Sequence, residues 1–150
     1  MKTADSITVD NEILLSEVGR LLKEGHEVII TAKGGSMMPF IVGGRDSVAL
    51  TYCSEPAVGD IVLARLKEGC YVMHRIVAIE GDSLSLMGDG NLCGGERCRK
   101  EDLLGKAVAV IKPSGRRIAP RSGRIWLRLK PLRRYILGIY RRILRIENYL

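Results

Sequence analysis

The sequence predicts a mainly β (α+β) protein: a curled antiparallel or mixed sheet, with one helix before it and a basic amphipathic helix after it. Three observations carry this expectation. Short runs rich in Val, Ile and Leu recur through the middle, separated by Gly, Pro, Asp and Glu, with no helical period between them. Apolar residues at three- and four-residue steps precede these runs and follow them. A length of 150 residues suits a single core.

Three segments follow from this reading. In residues 1–30, Asp10 can cap a helix over "NEILLSEVGRLLKEG", whose apolar stripe is Ile13, Leu14, Val18, Leu21 and Leu22 and whose end is closed by Gly25. "EVIITA" then reads as a buried lead-in strand, broken at Gly34-Gly35. Residues 31–111 supply the core strands "SVALTY", "DIVLARL", "CYVMHRIVAI", "SLSLM" and "GKAVAVI". In residues 112–150, Leu129, Leu132, Ile136, Ile139, Ile143 and Ile146 keep a helical period, with arginines mostly between them, in a helix begun near Pro131.

Charge divides the chain in the same way. Residues 1–111 hold 12 basic and 16 acidic side chains, whereas residues 112–150 hold 12 basic ones and only Glu147. A basic amphipathic tail of this kind suits either a solvated face or an anionic membrane surface, with Arg128, Arg133, Arg134, Arg141 and Arg142 as the contacts. Nucleic acid is not expected as a partner, because no recognition module or regular aromatic platform accompanies the charge. The polar start at Lys2, Thr3, Asp5 and Ser6 does not lead into an apolar export signal, and no run approaches the roughly eighteen apolar residues of a membrane span. The expected location is the cytoplasm, with the tail able to reach the inner face of the membrane. Cys53, Cys70, Cys93 and Cys98 then read as reduced thiols. Cys93 and Cys98 lack a second Cys or His pair, so neither metal nor cofactor is expected.

A candidate site emerges from one hairpin. Gly81-Asp82 suits a two-residue turn between "YVMHRIVAIE" and "SLSLMGDGN". Pairing Glu80 with Ser83 sets Ile79 against Leu84 and Val77 against Leu86, and the same register sets His74 opposite Asp89. A histidine held by a carboxylate is a general base at neutral pH. Ser36 is the best nucleophile to go with it, because Gly34-Gly35 permits an unusual turn and leaves the amides of Gly34, Gly35 and Ser36 free to hold an oxyanion. His26, beyond Gly25, reads as a surface or capping residue. Asp60 reads as a turn residue, and Arg75, on the face opposite His74, as half of an ion pair or a solvent-facing side chain.

The boxes "GGSMMP", "VGDIV", "MHRIV" and "GDGN", in this order between about Thr31 and Ile111, resemble the signal peptidase and LexA-type superfamily of serine peptidases. His74 stands where bacterial members carry lysine, so the chain is most similar to the Ser-His-Asp branch found in endoplasmic-reticulum and archaeal signal peptidases. The resemblance implies Ser36 as nucleophile, His74 as base and Asp89 as the acid that orients it, with Met37, Met38 and Pro39 beside the substrate. It also implies a preference for small residues before the cut, as in leader removal from a secreted or modified peptide. Gly34 occupies a place where many relatives have a hydroxyl residue, and where relatives of the His type often have a further aspartate shortly after the "GDGN" box, this chain offers Glu96 or the more distant Asp102. Two other functions fit the same scaffold: a LexA-like protease that cuts itself or a partner repressor, and a non-catalytic module that binds membrane or nucleic acid.

Overall fold

Branched apolar residues alternating with turn residues build eight strands in one antiparallel sheet that curls into a half-barrel, with helices at its N-terminal and C-terminal ends. The computed structural model describes residues 11–66, 70–91, 94–120, 123–129 and 131–147. Asp10 and Cys93 lie outside these residues, as does the side chain of Ile146. Helix α1 (Asn11–Lys23) leads to β1 (Val28–Thr31), β2 (Ser47–Thr51), β3 (Ile61–Arg65), β4 (Tyr71–Glu80), β5 (Ser83–Met87), β6 (Glu96–Arg99), β7 (Leu103–Ile111) and β8 (Arg117–Ile118). Helices α2 (Arg124–Arg128) and α3 (Arg133–Glu147) close the chain. The strands run side by side as β1-β2-β7-β3-β4-β5-β6, and β8 pairs with β7.

The sheet is apolar on both faces at its centre. In β3, Ile61 and Leu63 join Val18, Leu22, Val48 and Leu50 in one core, while Val62 and Ala64 join Ile76, Leu84, Leu86 and Cys98 in another. Each fully buried Leu, Ile or Val contributes about 1.5–3 kcal/mol. Burial, with Asp102 adding to it, pushes the Cys98 thiol up to about 11, so this cysteine behaves as a core apolar group.

Helix α1 docks through its second half. Val18 and Leu22 are buried, and Gly25, with φ 91°, ends the helix as Gly25 N–H donates to Leu22 O and His26 N–H to Leu21 O. Ile13 and Leu14 do not share the buried stripe expected of them; they are 64% and 51% exposed, Leu14 lining an open groove.

Strands β6 and β8 were not legible as strands. β6 reads Glu-Arg-Cys-Arg, and such charges are tolerated because it is an edge strand whose exposed side chains face water. The tail also differs from a single helix. Pro131 separates α2 from α3, Trp126 is buried, and α3 docks through Leu137 and Arg133 while Leu132, Ile139 and Ile143 of the expected stripe stand exposed.

The β4–β5 hairpin follows the expected register only near its turn. Glu80 pairs with Ser83 and Ile79 with Leu84, but a bulge at Val77 then pairs Ile76, not Val77, with Leu86. The extra residue lets Ile76 and Ile79 face the same core, which strict alternation would forbid.

Candidate active site

Ser36 opens a tight turn on the segment between β1 and β2. Gly34 takes φ 72°, and a Cβ on Gly43 would lie 2.0 Å from Gly34 O, so the two glycines let the chain pack against itself here. The hydrogen bonds inside the turn are donated by the amides of Met38, Phe40 and Ile41. Those of Gly34, Gly35 and Ser36 are not among the turn's donors. Met38–Pro39 is a cis peptide.

The base of this loop is fixed by Asp46, which is fully buried. It accepts hydrogen bonds from Val42 N–H at 2.9 Å and Lys112 Nζ at 2.8 Å. Burial pushes its carboxyl up, but the Lys112 and Val42 hydrogen bonds and the charges of Lys112 and Arg45 outweigh that and hold it below its ordinary 3.8. A carboxyl lowered on folding adds stability that is whole above its unfolded value and is lost as the pH falls through the folded one. Asp46→Asn is therefore expected to cost about 1–3 kcal/mol of stability at pH 7, seen as a lower melting temperature. The gap between variant and wild type should close as thermal melts followed by circular dichroism are taken below pH 3.8.

His74 and Arg75 project to opposite faces of β4 and meet different acids. The His74 ring is buried, and Nδ1 lies 2.7 Å from Glu96 Oε2. A carboxylate can only accept, so in the neutral imidazole this contact favours the tautomer with the proton on Nδ1 and the lone pair on Nε2. The pair brings β4 and β6 together across β5, through the register Ile76–Leu86–Glu96.

Asp89 does not orient His74. It forms a two-pronged ion pair with Arg75, from Nε to Oδ1 at 2.8 Å and from NH2 to Oδ2 at 2.7 Å, with both side chains buried. The physical reason is the bulge at Val77, which shifts the register by one residue so that His74 comes beside Gly88 and Asp89 moves to the Arg75 side.

Arg75 ties the sequence boxes together. Its NH1 donates to Gly59 O at 2.7 Å, its guanidinium lies 5.7 Å from the Phe40 ring centre, and a Cβ on Gly123 would come within 2.6 Å of its Nε. Asp60, next to Gly59, closes its own turn by accepting from Ala57 N–H at 3.0 Å. The tail completes the arrangement: Trp126 Nε1 donates to Asp89 O at 2.8 Å, and Arg133 donates to Trp126 O at 2.9 Å. Arg133 is thus buried against the site, not free for a membrane, and Arg141 reaches toward Gly90 O at 3.5 Å.

The Ser36 turn and His74 meet at Gly88. A Cβ there would lie 2.4 Å from Ser36 O and 3.2 Å from His74 Nε2, so only glycine allows the approach. Gly90 N–H donates to Ser36 O at 2.8 Å and fastens the serine turn to the "GDGN" turn. Ser36 and His74 both line a groove of about 700 Å³, walled also by Leu15, Val18, Val28, Ile30, Leu63 and Met73. Ser36 Oγ is not hydrogen-bonded to His74 in this structure. Met37 is buried and borders the groove, whereas Met38 and Pro39 are not part of its wall.

Two strand edges line the groove. β1 pairs with β2 on one side only, and Tyr71–His74 of β4 pairs with β3 while β5 joins β4 only from Arg75 onward. Among the described residues no helix is long and apolar enough to cross a membrane.

No family model matches this chain, and no curated protein matches it significantly.

Proposed function

We propose that the chain is a serine endopeptidase of the signal peptidase and LexA-like superfamily, with Ser36 as nucleophile, His74 as general base and Glu96 as the acid that orients it. The carrying observation is the His74–Glu96 pair, whose Nε2 lies beside Gly88 next to the Ser36 turn, with Ser36 and His74 lining one groove. Ser36 Oγ attacks the scissile carbonyl carbon and passes its proton to Nε2. The oxyanion is held by the turn amides, and Nε2 returns the proton to the leaving amine. Water, deprotonated by the same nitrogen, then hydrolyses the ester on Ser36. Hydrogen bonds between nucleophile and base are often long in unliganded sites and shorten when substrate closes them.

The substrate is an extended peptide that adds as a strand beside β1, using the open edge of Val28–Thr31 for main-chain bonds. The apolar groove wall, including exposed Leu14 of α1, favours a peptide with apolar side chains away from the cut. Small residues next to the cut and removal of a leader remain what the sequence resemblance contributes.

A serine-reactive phosphonate tests the reading. Mass spectrometry should find the adduct on Ser36 of the folded protein, and labelling should fall at least about a hundredfold in His74→Ala. No adduct, or equal labelling of wild type and variant, would instead leave a non-catalytic binding module.

A further inference from the structure

Helix α3 has two apolar faces, and only one is occupied. The docked face carries Leu137 and Arg133, 1% and 2% exposed, with Tyr140 and Leu144 half-buried beside them. On the other face Leu132, Tyr135, Ile139 and Ile143 follow three- and four-residue steps and are 51%, 64%, 62% and 48% exposed. Ile125 of α2 is 75% exposed. A helix that merely braces a domain needs one apolar face, and single exposed apolar residues are common on any surface; a periodic row of them is not.

The charges nearby indicate what covers this row. Arg128, Arg134, Arg142 and Arg145 are exposed, and residues 124–147 contain eight basic side chains against the single acid Glu147. Pairing this face with a second copy of the chain would bring arginines of the same sign together along its borders. An anionic lipid surface offers the opposite charge for them and acyl chains for the row between. Fifteen helical residues extend only about 22 Å, short of the roughly 30 Å hydrocarbon layer, so the helix fits along a bilayer and not through it.

We infer that the outward face of α3 is an interfacial membrane-binding surface for anionic phospholipid. The helix lies parallel to the bilayer, with Leu132, Tyr135, Ile139 and Ile143 among the acyl chains and the neighbouring arginines at phosphate level. This inference stands apart from the peptidase reading, because none of these side chains takes part in the site around Ser36 and His74.

Sedimentation of the full chain with vesicles tests it, using phosphatidylcholine alone and phosphatidylcholine mixed with phosphatidylglycerol, at about 0.1 M and 0.5 M salt. The wild type should sediment with the anionic vesicles, and the Ile139→Glu/Ile143→Glu variant should partition at least about tenfold less. Both side chains are exposed, so the variant should keep the wild-type circular dichroism spectrum; if it does not, Ile139→Ser/Ile143→Ser replaces it with the same expectation. Failure of the wild type to sediment would overturn the inference. So would equal binding by wild type and variant with loss at high salt, the sign of charge adsorption alone. A wild-type dimer in light scattering that the variant dissolves, without vesicle binding, would assign the face to self-association and also overturn it.

Discussion

Asp89→Ala is expected to destabilise the protein by about 3–5 kcal/mol, the usual result of removing one member of a buried ion pair. The substitution leaves the Arg75 cation in the interior without the carboxylate that binds it at 2.7 and 2.8 Å. For a chain of this length the melting temperature should drop by roughly 10 °C, measurable by calorimetry or circular dichroism. An Arg75→Leu/Asp89→Leu double variant should lose less than the two single changes together, because it buries no unmatched charge. If Asp89→Ala melts like the wild type while phosphonate labelling of Ser36 disappears, Asp89 belongs to the chemistry after all.

Glu96→Gln should do the reverse. The Glu96 carboxylate is 31% exposed and sits on an edge strand, so its loss should move the melting temperature by no more than about 2 °C. The rate of Ser36 phosphonylation should nevertheless fall about 10²–10⁴-fold, because the charge that fixes the imidazole and stabilises its protonated form is gone. Rates of adduct formation against pH, set beside melts of the same samples, separate this positioning role from a structural one. Labelling at the wild-type rate would remove Glu96 from the mechanism.

The strands with alternating apolar residues were legible because each buries at least one face: "SVALTY", "DIVLARL" and "CYVMHRIVAI" fall on β2, β3 and β4. Strand β6 was hidden by its charges and β8 by its length of two residues. For the candidate site, sequence spacing singled out Ser36 and His74, which the fold brings to one groove. The acid beside His74 was misassigned for a reason that spacing cannot reveal. Val77 is one apolar residue in a run of them, and nothing in "HRIVAIE" marks it as the residue that drops out of the ladder. That single bulge moves Asp89 from His74 to the neighbouring Arg75. Glu96 carried a weak signal, as one of the two acids the resemblance offered after the "GDGN" box, but only the fold of β5 and β6 brings it, and not Asp102, to His74.

The position of Trp126 has a practical outcome. It is the chain's sole tryptophan, and its indole is bonded to Asp89 O at 2.8 Å with Arg133 across its ring at 5.5 Å. Tryptophan fluorescence therefore reads one place, the seam where the C-terminal helices grip the loop that carries Asp89. The protein carries its own optical reporter of whether that seam is closed, with no dye or engineered label required.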